Sequence, residues 1–317
     1  MTLPPISRRA ALVLASGMFL PVPALARRSN VVELIVGAPP GSAVDLWARG
    51  IAPFLERAWP RSSFAVRNQP GRAGLEAISL LASADPEARL VGIVTTPLLL
   101  ARAVEAGEVS PAERVTPLAS VIEEGMLLVG APAGPADLQG LRALGERGTL
   151  GTPPPGSAAH FASLRLDDRV ELARLAFPSA AAARQAAAAG HVAAAMLALP
   201  DAITALREGK LVGLGIASAR RSPLLPELPT LREQGLDLVA SAQRGFALTP
   251  GAPEPFQAAM LRALEAMSAD ADFIARAEGL GQGARFQGPE PWGRLLARAD
   301  GELRRRWAEE PWLPRRA

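Results

Sequence analysis

The chain has no cysteine, no tyrosine, two histidines and, among 317 residues, the single lysine Lys210. The missing thiols exclude disulfides, thiol nucleophiles and cysteine-based metal sites. Aromatic residues make up only 4% of the chain, and no dense basic block is interleaved with them. The pattern that marks a nucleic-acid partner is therefore lacking. A pI near 10.6 beside a formal charge of only +3 reflects the scarcity of groups that titrate between neutrality and arginine. The longest apolar run, Ala10 to Leu20, is too short to span a bilayer comfortably. There is no Walker loop, no dinucleotide glycine spacing and no metal-ligand cluster, so neither a cofactor nor a metal is expected.

What is present begins at the N-terminus. The pair Arg8-Arg9 precedes the apolar run, and Ala24-Leu25-Ala26 offers small residues where a signal peptidase reads. The sequence predicts a twin-arginine signal peptide over 1–26 and export to the periplasm. Loss of Arg8 and Arg9 leaves the mature chain nearly neutral. The length suits two domains, and 49% hydrophobic content rich in alanine and leucine suits an α/β protein.

Strand-like and helix-like segments alternate from residue 31 onward. Strands are expected at 31–36, 64–67, 90–94, 118–121, 126–130, 191–197, 211–218 and 246–248. Helices are expected at 42–59, 138–144, 180–189, 200–208, 255–269, 272–278 and 291–307. Two connecting loops are near copies: Gly37-Ala-Pro-Pro-Gly-Ser-Ala-Val-Asp45 and Gly151-Thr-Pro-Pro-Pro-Gly-Ser-Ala-Ala-His160. Each follows an apolar run, and each places a serine (Ser42, Ser157) at the N-cap of a helix. Free amides and the peptide dipoles make such a helix start an anion site without any lysine or arginine. A third helix start is expected at Thr95-Thr96-Pro97, with a threonine cap and proline at the first helical position. These turns belong on the carboxyl edge of a parallel sheet, where ligands bind in open α/β folds.

The segment Val36-Gly-Ala-Pro-Pro-Gly-Ser-Ala-Val-Asp-Leu-Trp-Ala-Arg49 is similar to the first loop and helix of the tripartite tricarboxylate transporter receptors (Bug proteins). Val66-Arg-Asn-Gln-Pro-Gly-Arg-Ala-Gly74 resembles their second, Pro-Gly-rich loop. Gly190-His-Val, Leu199-Pro-Asp and Glu208-Gly-Lys-Leu-Val-Gly-Leu-Gly-Ile216 resemble their sheet-and-helix core. The most specific likeness is Ala217-Ser-Ala-Arg-Arg-Ser-Pro-Leu-Leu-Pro-Glu-Leu-Pro-Thr-Leu-Arg-Glu-Gln-Gly235, with its prolines at fixed spacing. The likeness covers nearly the whole mature chain.

The resemblance implies a two-lobed Venus-flytrap (periplasmic binding protein, type II-like) fold, each lobe a mostly parallel sheet flanked by helices. Residues 27–128 and 244–317 are expected to form one lobe and 129–243 the other. It also implies a monomeric, non-enzymatic receptor that captures a mono- or dicarboxylate between the lobes. The partners would be the permease subunits of a tripartite tricarboxylate transporter, with no nucleic acid; a sensory co-receptor without transport is the alternative. A micromolar receptor needs about 8 kcal/mol. Helix ends giving up to ~2 kcal/mol each and amide–carboxylate bonds of roughly 1.5–3 kcal/mol can supply this.

The candidate ligand-binding residues are Pro39, Pro40, Gly41, Ser42 and Asp45 in the first loop, and Gly71, Arg72, Ala73 and Gly74 in the second. Thr95 and Thr96 follow the third strand, and Gly156, Ser157, Ala158, His160 and Phe177 complete the set. Asp45 reads either as a capping-box partner or as a ligand contact. His160 reads as a ligand contact or a structural residue, kept neutral near a helix start. A Ser157–His160 hydrolase lacks an acid partner in a hydrolase order. Trp47 is either core or a ligand platform, and Arg72 either a carboxylate clamp or a solvated arginine. Where the family carries polar residues, this chain has Ala193, Leu197 and Phe177-Pro178-Ser179, which favours an acid with an apolar body.

Overall fold

The computed structural model describes residues 30–166 and 170–314. The predicted signal peptide, with Arg8, Arg9 and Ala24–Ala26, lies outside the described residues. No helix among the described residues is long and apolar enough to cross a membrane.

The first third runs β1 (Asn30–Val36), α1 (Ala43–Ala58), β2 (Ser62–Asn68), α2 (Leu75–Ser83), β3 (Leu90–Thr96), α3 (Leu98–Glu105) and α4 (Pro111–Arg114). The middle comprises β4 (Thr116–Gly130), α5 (Leu138–Arg142), β5 (Thr149–Thr152), α6 (Ala158–Leu164), β6 (Ala173–Ala176), α7 (Ala180–Ala188), β7 (Ala194–Ala198), α8 (Leu199–Arg207) and β8 (Val212–Ile216). The chain ends with β9 (Ser241–Leu248), α9 (Glu254–Ser268), α10 (Ala271–Gly279), β10 (Gly283–Gln287) and α11 (Pro289–Glu309).

All ten strands join one sheet, in the order β2-β1-β3-β9-β4-β7-β5-β6, with β8 and β10 also paired to β4. The wings are parallel: β1 with β2 and β3, and β5 with β6 and β7. The centre is antiparallel, around β9 and β4. β4 belongs to both halves. Its residues up to Gly125 pair with β9, and those from Met126 pair with β7 and β8.

Two strands expected at 118–121 and 126–130 are thus one. Val121, Ile122, Glu124 and Met126 are all buried, so the intervening residues continue the ladder rather than turn. β9 likewise starts five residues earlier than its apolar end suggests, because Gln243 and Arg244 carry polar side chains inside a paired strand.

Side-chain alternation sorts the helices. On β4, Met126 and Leu128 face a core with Leu138, Leu141 and Ala162, while Leu127 and Val129 face Ala183, Ala187 and Ile203. In the other half, Leu34 and Phe246 pack with Ile51, Leu55 and Met260, and Ile35 packs with Ile78, Leu100 and Trp292. Period-two alternation of this kind is how a strand serves two cores at once. Helix α1 buries Trp47, Ala48, Ile51, Ala52 and Leu55, an apolar stripe at helical spacing. Fully burying each Leu or Ile contributes about 1.5–3 kcal/mol.

Candidate functional site

Because β1, β2 and β3 are parallel, their carboxyl ends deliver Gly37–Ser42, Gln69–Gly74 and Thr95–Pro97 to the same edge. The loops touch there. A Cβ on Gly37 would stand 2.6 Å from the Gly74 backbone, and one on Gly74 would stand 3.3 Å from the Leu99 side chain. The approach requires glycine at Gly37, and Gly74 has φ +105°, a conformation that side-chain-bearing residues rarely adopt.

The first loop is braced from beneath by Asp45, which is 1% exposed. Its carboxylate accepts from the Gly41 amide (2.8 Å), Arg49 Nε (3.1 Å) and Asn68 Nδ2 (2.9 Å). Asn68 also donates to the Ala38 carbonyl at 2.9 Å. These bonds, led by the Arg49 contact, hold the Asp45 carboxyl at about 2. Asp45 is therefore the loop's internal brace. It is not a reciprocal capping box, since its partner is the Gly41 amide rather than that of Ser42. Ser42 does cap α1, its Oγ accepting from the Asp45 amide at 3.3 Å. Pro39, Pro40, Gly41 and Ala43 are exposed. With the Ser42 amide bonded to Pro39 O, the Ala43 and Val44 amides are the α1 donors without an acceptor among the described residues.

In the second loop Gly71, Arg72, Ala73 and Gly74 all have positive φ, at 137°, 44°, 56° and 105°. Arg72 and Ala73 adopt a conformation that costs an L-residue roughly 1–2 kcal/mol each. Arg72 is neither a carboxylate clamp nor merely solvated: it pairs with Glu76 at 2.6 Å and with Glu108.

At the third turn the expected threonine cap is absent. Thr96 is buried and its Oγ1 accepts from the Gln243 amide at 3.2 Å, so α3 begins after Pro97 with no side-chain cap. Thr95 is half-buried. Trp47 is core, 8% exposed and stacked on Phe246 at 5.9 Å.

The loop after β5 repeats the cap. Ser157 Oγ accepts from the His160 amide at 3.2 Å, and Gly156 has φ +88° against +80° at Gly41. Its surroundings differ. Arg102 of α3 donates to the Pro155 carbonyl at 2.8 Å, and Gly156 packs against Arg102 and Leu98. The contacts thus run unbroken from the first loop through Gly74, Leu99 and Arg102 to Gly156. Ala158 is half-buried. Phe177 packs on Gly151 and Val192, a Cβ on Gly151 coming within 3.1 Å of its ring. The sequence held no sign of Arg102, which becomes significant only when α3 meets a loop fifty residues away.

His160 is 8% exposed and its imidazole is pushed down to about 4, first by burial and then by Arg174, Arg306 and Arg102. A second polar group is buried near the crossing between halves. Arg244 pairs with Glu124 at 2.8 Å and covers the Trp47 ring at 5.5 Å, and Gln282 donates to Glu124 at 2.9 Å. Burial, aided by Glu124, raises Asp201 on α8 to about 6.

This is the architecture of a periplasmic binding protein: two α/β lobes on a shared central sheet, with glycine-rich strand-to-helix turns meeting between them. A profile described as TctC, tripartite tricarboxylate transporter family receptor, matches residues 61–281, and the chain belongs to that family. A TctC solute-binding protein from Polaromonas is similar in structure, with TM-score 0.77 and 22% identity over 89% of this chain and 99% of that one. The periplasmic binding protein BugD gives TM-score 0.71 and 19% identity over 88% of this chain and 97% of its own. MatC from Rhodopseudomonas palustris, solved with bound malate, gives TM-score 0.66 and 26% identity over 88% and 98%. No curated protein sequence matches the chain.

Proposed function

We propose that this chain is a periplasmic receptor that captures a small organic carboxylate between its lobes and delivers it to the membrane subunits of a tripartite tricarboxylate-type transporter. The observation that carries this reading is the start of α1. An exposed Pro-Pro-Gly turn, braced by buried Asp45 with Arg49 and Asn68, leads into the Ala43 and Val44 amides, and Gly37 at its root packs on Gly74 of the second loop. Two amides at a helix start match the two oxygens of one carboxylate. The malate held by MatC is an acid of the right class. Because Asp45 is saturated by its own loop, it repels the ligand less than a free carboxylate would.

The lobes we assign are 27–128 with 244–317, and 129–243, acting as a monomer after removal of 1–26. The passage of β4 from one half-sheet to the other supports that division. The Gly156–Ala158 turn, already docked on Arg102 and Leu98 of the other lobe, would flank ligand seated on the first loop.

Thermal melts with malate, succinate, neutral sugars and amines test the reading. Ligand that binds only the folded state raises Tm by mass action, so the acids are expected to raise it and the others not. Gly41→Pro should abolish the shift while the fold persists, because proline forbids the +80° φ and deletes the amide that Asp45 holds. Shifts with amines or sugars alone, or full malate binding by Gly41→Pro, would overturn it.

A further inference from the structure

The sheet joins the two halves of the molecule, and side chains beyond the end of α11 join them a second time. Helix α11 shares a core with α3, where Leu296 and Leu303 pack in one cluster with Leu99 and Leu100. Pro311 ends it, because a proline disfavours helical backbone in the residue before it, and Glu310 leaves the helix at φ −143°, ψ 87°. Trp312 then turns back to α3, its Nε1 donating to Glu105 Oε1 at 2.6 Å. The other carboxylate oxygen, Glu105 Oε2, accepts from Arg102 Nη1, and Arg102 Nη2 donates to the Pro155 carbonyl at 2.8 Å. The indole of Trp312 stands edge-on to Phe161 of α6 at 4.9 Å and against Trp307 at 4.7 Å. Among the described residues, Phe161 is the one hydrophobic side chain of 129–243 that packs with the α3–α11 core. Its neighbours Ala158, Ala159 and Ala162 on the same helix pack in the core of the middle segment.

We propose that Glu105 and Trp312 are positioning residues for ligand capture: with Arg102 they form a clasp that holds the Gly156–Ala158 turn and α6 against the first lobe. The proposal rests on the receptor reading above and its division into lobes. One carboxylate serves both arms of the clasp. Arg102 grips the backbone of the turn at Pro155, and Trp312 grips the Phe161 side chain within α6. Two grips on one helix start oppose rotation about either of them, which a single hydrogen bond would allow. Charge-assisted bonds at both Glu105 oxygens fix the directions of the guanidinium and the indole. The edge-on ring pair lies within the separation that aromatic side chains favour. Neither Glu105 nor Trp312 belongs to the loops that offer amides to the ligand, so the clasp acts by population. A receptor whose binding-competent arrangement is only partly populated binds more weakly in proportion, and the clasp keeps that arrangement populated.

The experiment measures the distance between lobes in the mature chain. Because the chain has no cysteine of its own, Glu87→Cys and Glu146→Cys, at exposed positions ahead of β3 and β5, can carry a pair of spin labels for double electron–electron resonance. Without ligand, the labelled protein with its clasp intact is expected to show one narrow distance. Glu105→Ala and Trp312→Ala should each add a second, longer distance. Trp312→Phe keeps a ring beside Phe161 but loses the N–H, and should fall between. Hydrogen exchange at 158–164 should quicken about tenfold in Glu105→Ala and stay unchanged at 41–46, the mark of a local release rather than unfolding. Malate should bind Glu105→Ala about tenfold more weakly and return it to the narrow distance. A distance spread with the clasp intact as broad as that of Glu105→Ala, or no change in either alanine variant, would overturn the clasp. If malate binds none of these proteins, the receptor reading fails instead, and the ligand-free distances still decide the clasp.

Discussion

The Gly37–Asp45 and Gly151–His160 loops share a sequence pattern and a backbone, yet one is an open rim and the other a docked one. Ser42 and Ser157 have nearly the same cap geometry, at φ −67°, ψ 160° and φ −74°, ψ 158°. Each caps the amide three residues on, and each has its own amide bonded to a proline carbonyl. The divergence comes from that third position. Asp45 folds back and spends its carboxylate on the loop itself. His160 cannot brace its loop in that way, and the loop is held from outside by Arg102. The turn motif therefore specifies the shape of a rim, while the residue one helical turn further on decides what supports it.

Acid should separate the two loops by the widest margin. His160 titrates at about 4 when folded against an ordinary 6.5, so between these values the unfolded chain binds a proton that the folded chain refuses. The contribution of His160 to stability then falls as pH drops from 6.5 to 4, by an amount on the order of 3 kcal/mol, while Asp201, raised to about 6, contributes in the opposite sense. Asp45 titrates at about 2 against an ordinary 3.8. Its contribution is present above 3.8 and disappears only as pH falls toward 2. Urea melts from pH 7 to pH 3 should show wild type losing stability relative to His160→Leu between about 6.5 and 4; equal slopes in the two proteins would contradict the burial argument.

Next in size is Arg102→Met, which removes the external support of the second loop. A charged hydrogen bond of this kind contributes about 1.5–3 kcal/mol. Hydrogen exchange should quicken at 156–161 and stay unchanged at 41–46, whereas equal acceleration in both would mean that the loops share their support.

The smallest effect tests the likeness itself. Ser42→Ala and Ser157→Ala should each cost about 1 kcal/mol in denaturant melts, matching within a few tenths. A twofold disparity would show that the caps differ despite their geometry.

Much of this was legible in the sequence. The parallel strands, the two serine caps and the family likeness all rest on local pattern, and local pattern survives folding. Trp47 fell on the core side because its spacing to Ile51 and Leu55 is helical. The cap at Thr96 was misread, since a threonine before proline looks the same whether its hydroxyl caps a helix or receives the Gln243 amide from a strand 147 positions away. Arg72 was ambiguous for the same reason, its partner Glu108 lying beyond any local window. Arg102 left no trace at all, because it matters only through the Pro155 carbonyl far along the chain.

A coil between the two halves of the molecule would act as a joint, whereas β4 acts as a leaf spring. Fifteen residues of continuous strand, clamped to β9 below Gly125 and to β7 and β8 above it, can change the angle between the halves only by twisting a hydrogen-bonded ribbon. The register shifts between Pro117 and Ala119, between Ser120 and Ile122, and between Leu128 and Val129 are the compliant points of that ribbon. Opening then meets a restoring torque that grows with amplitude. The Arg102–Pro155 hydrogen bond joins the halves beside that ribbon, so a change of angle must break it as well as twist β4.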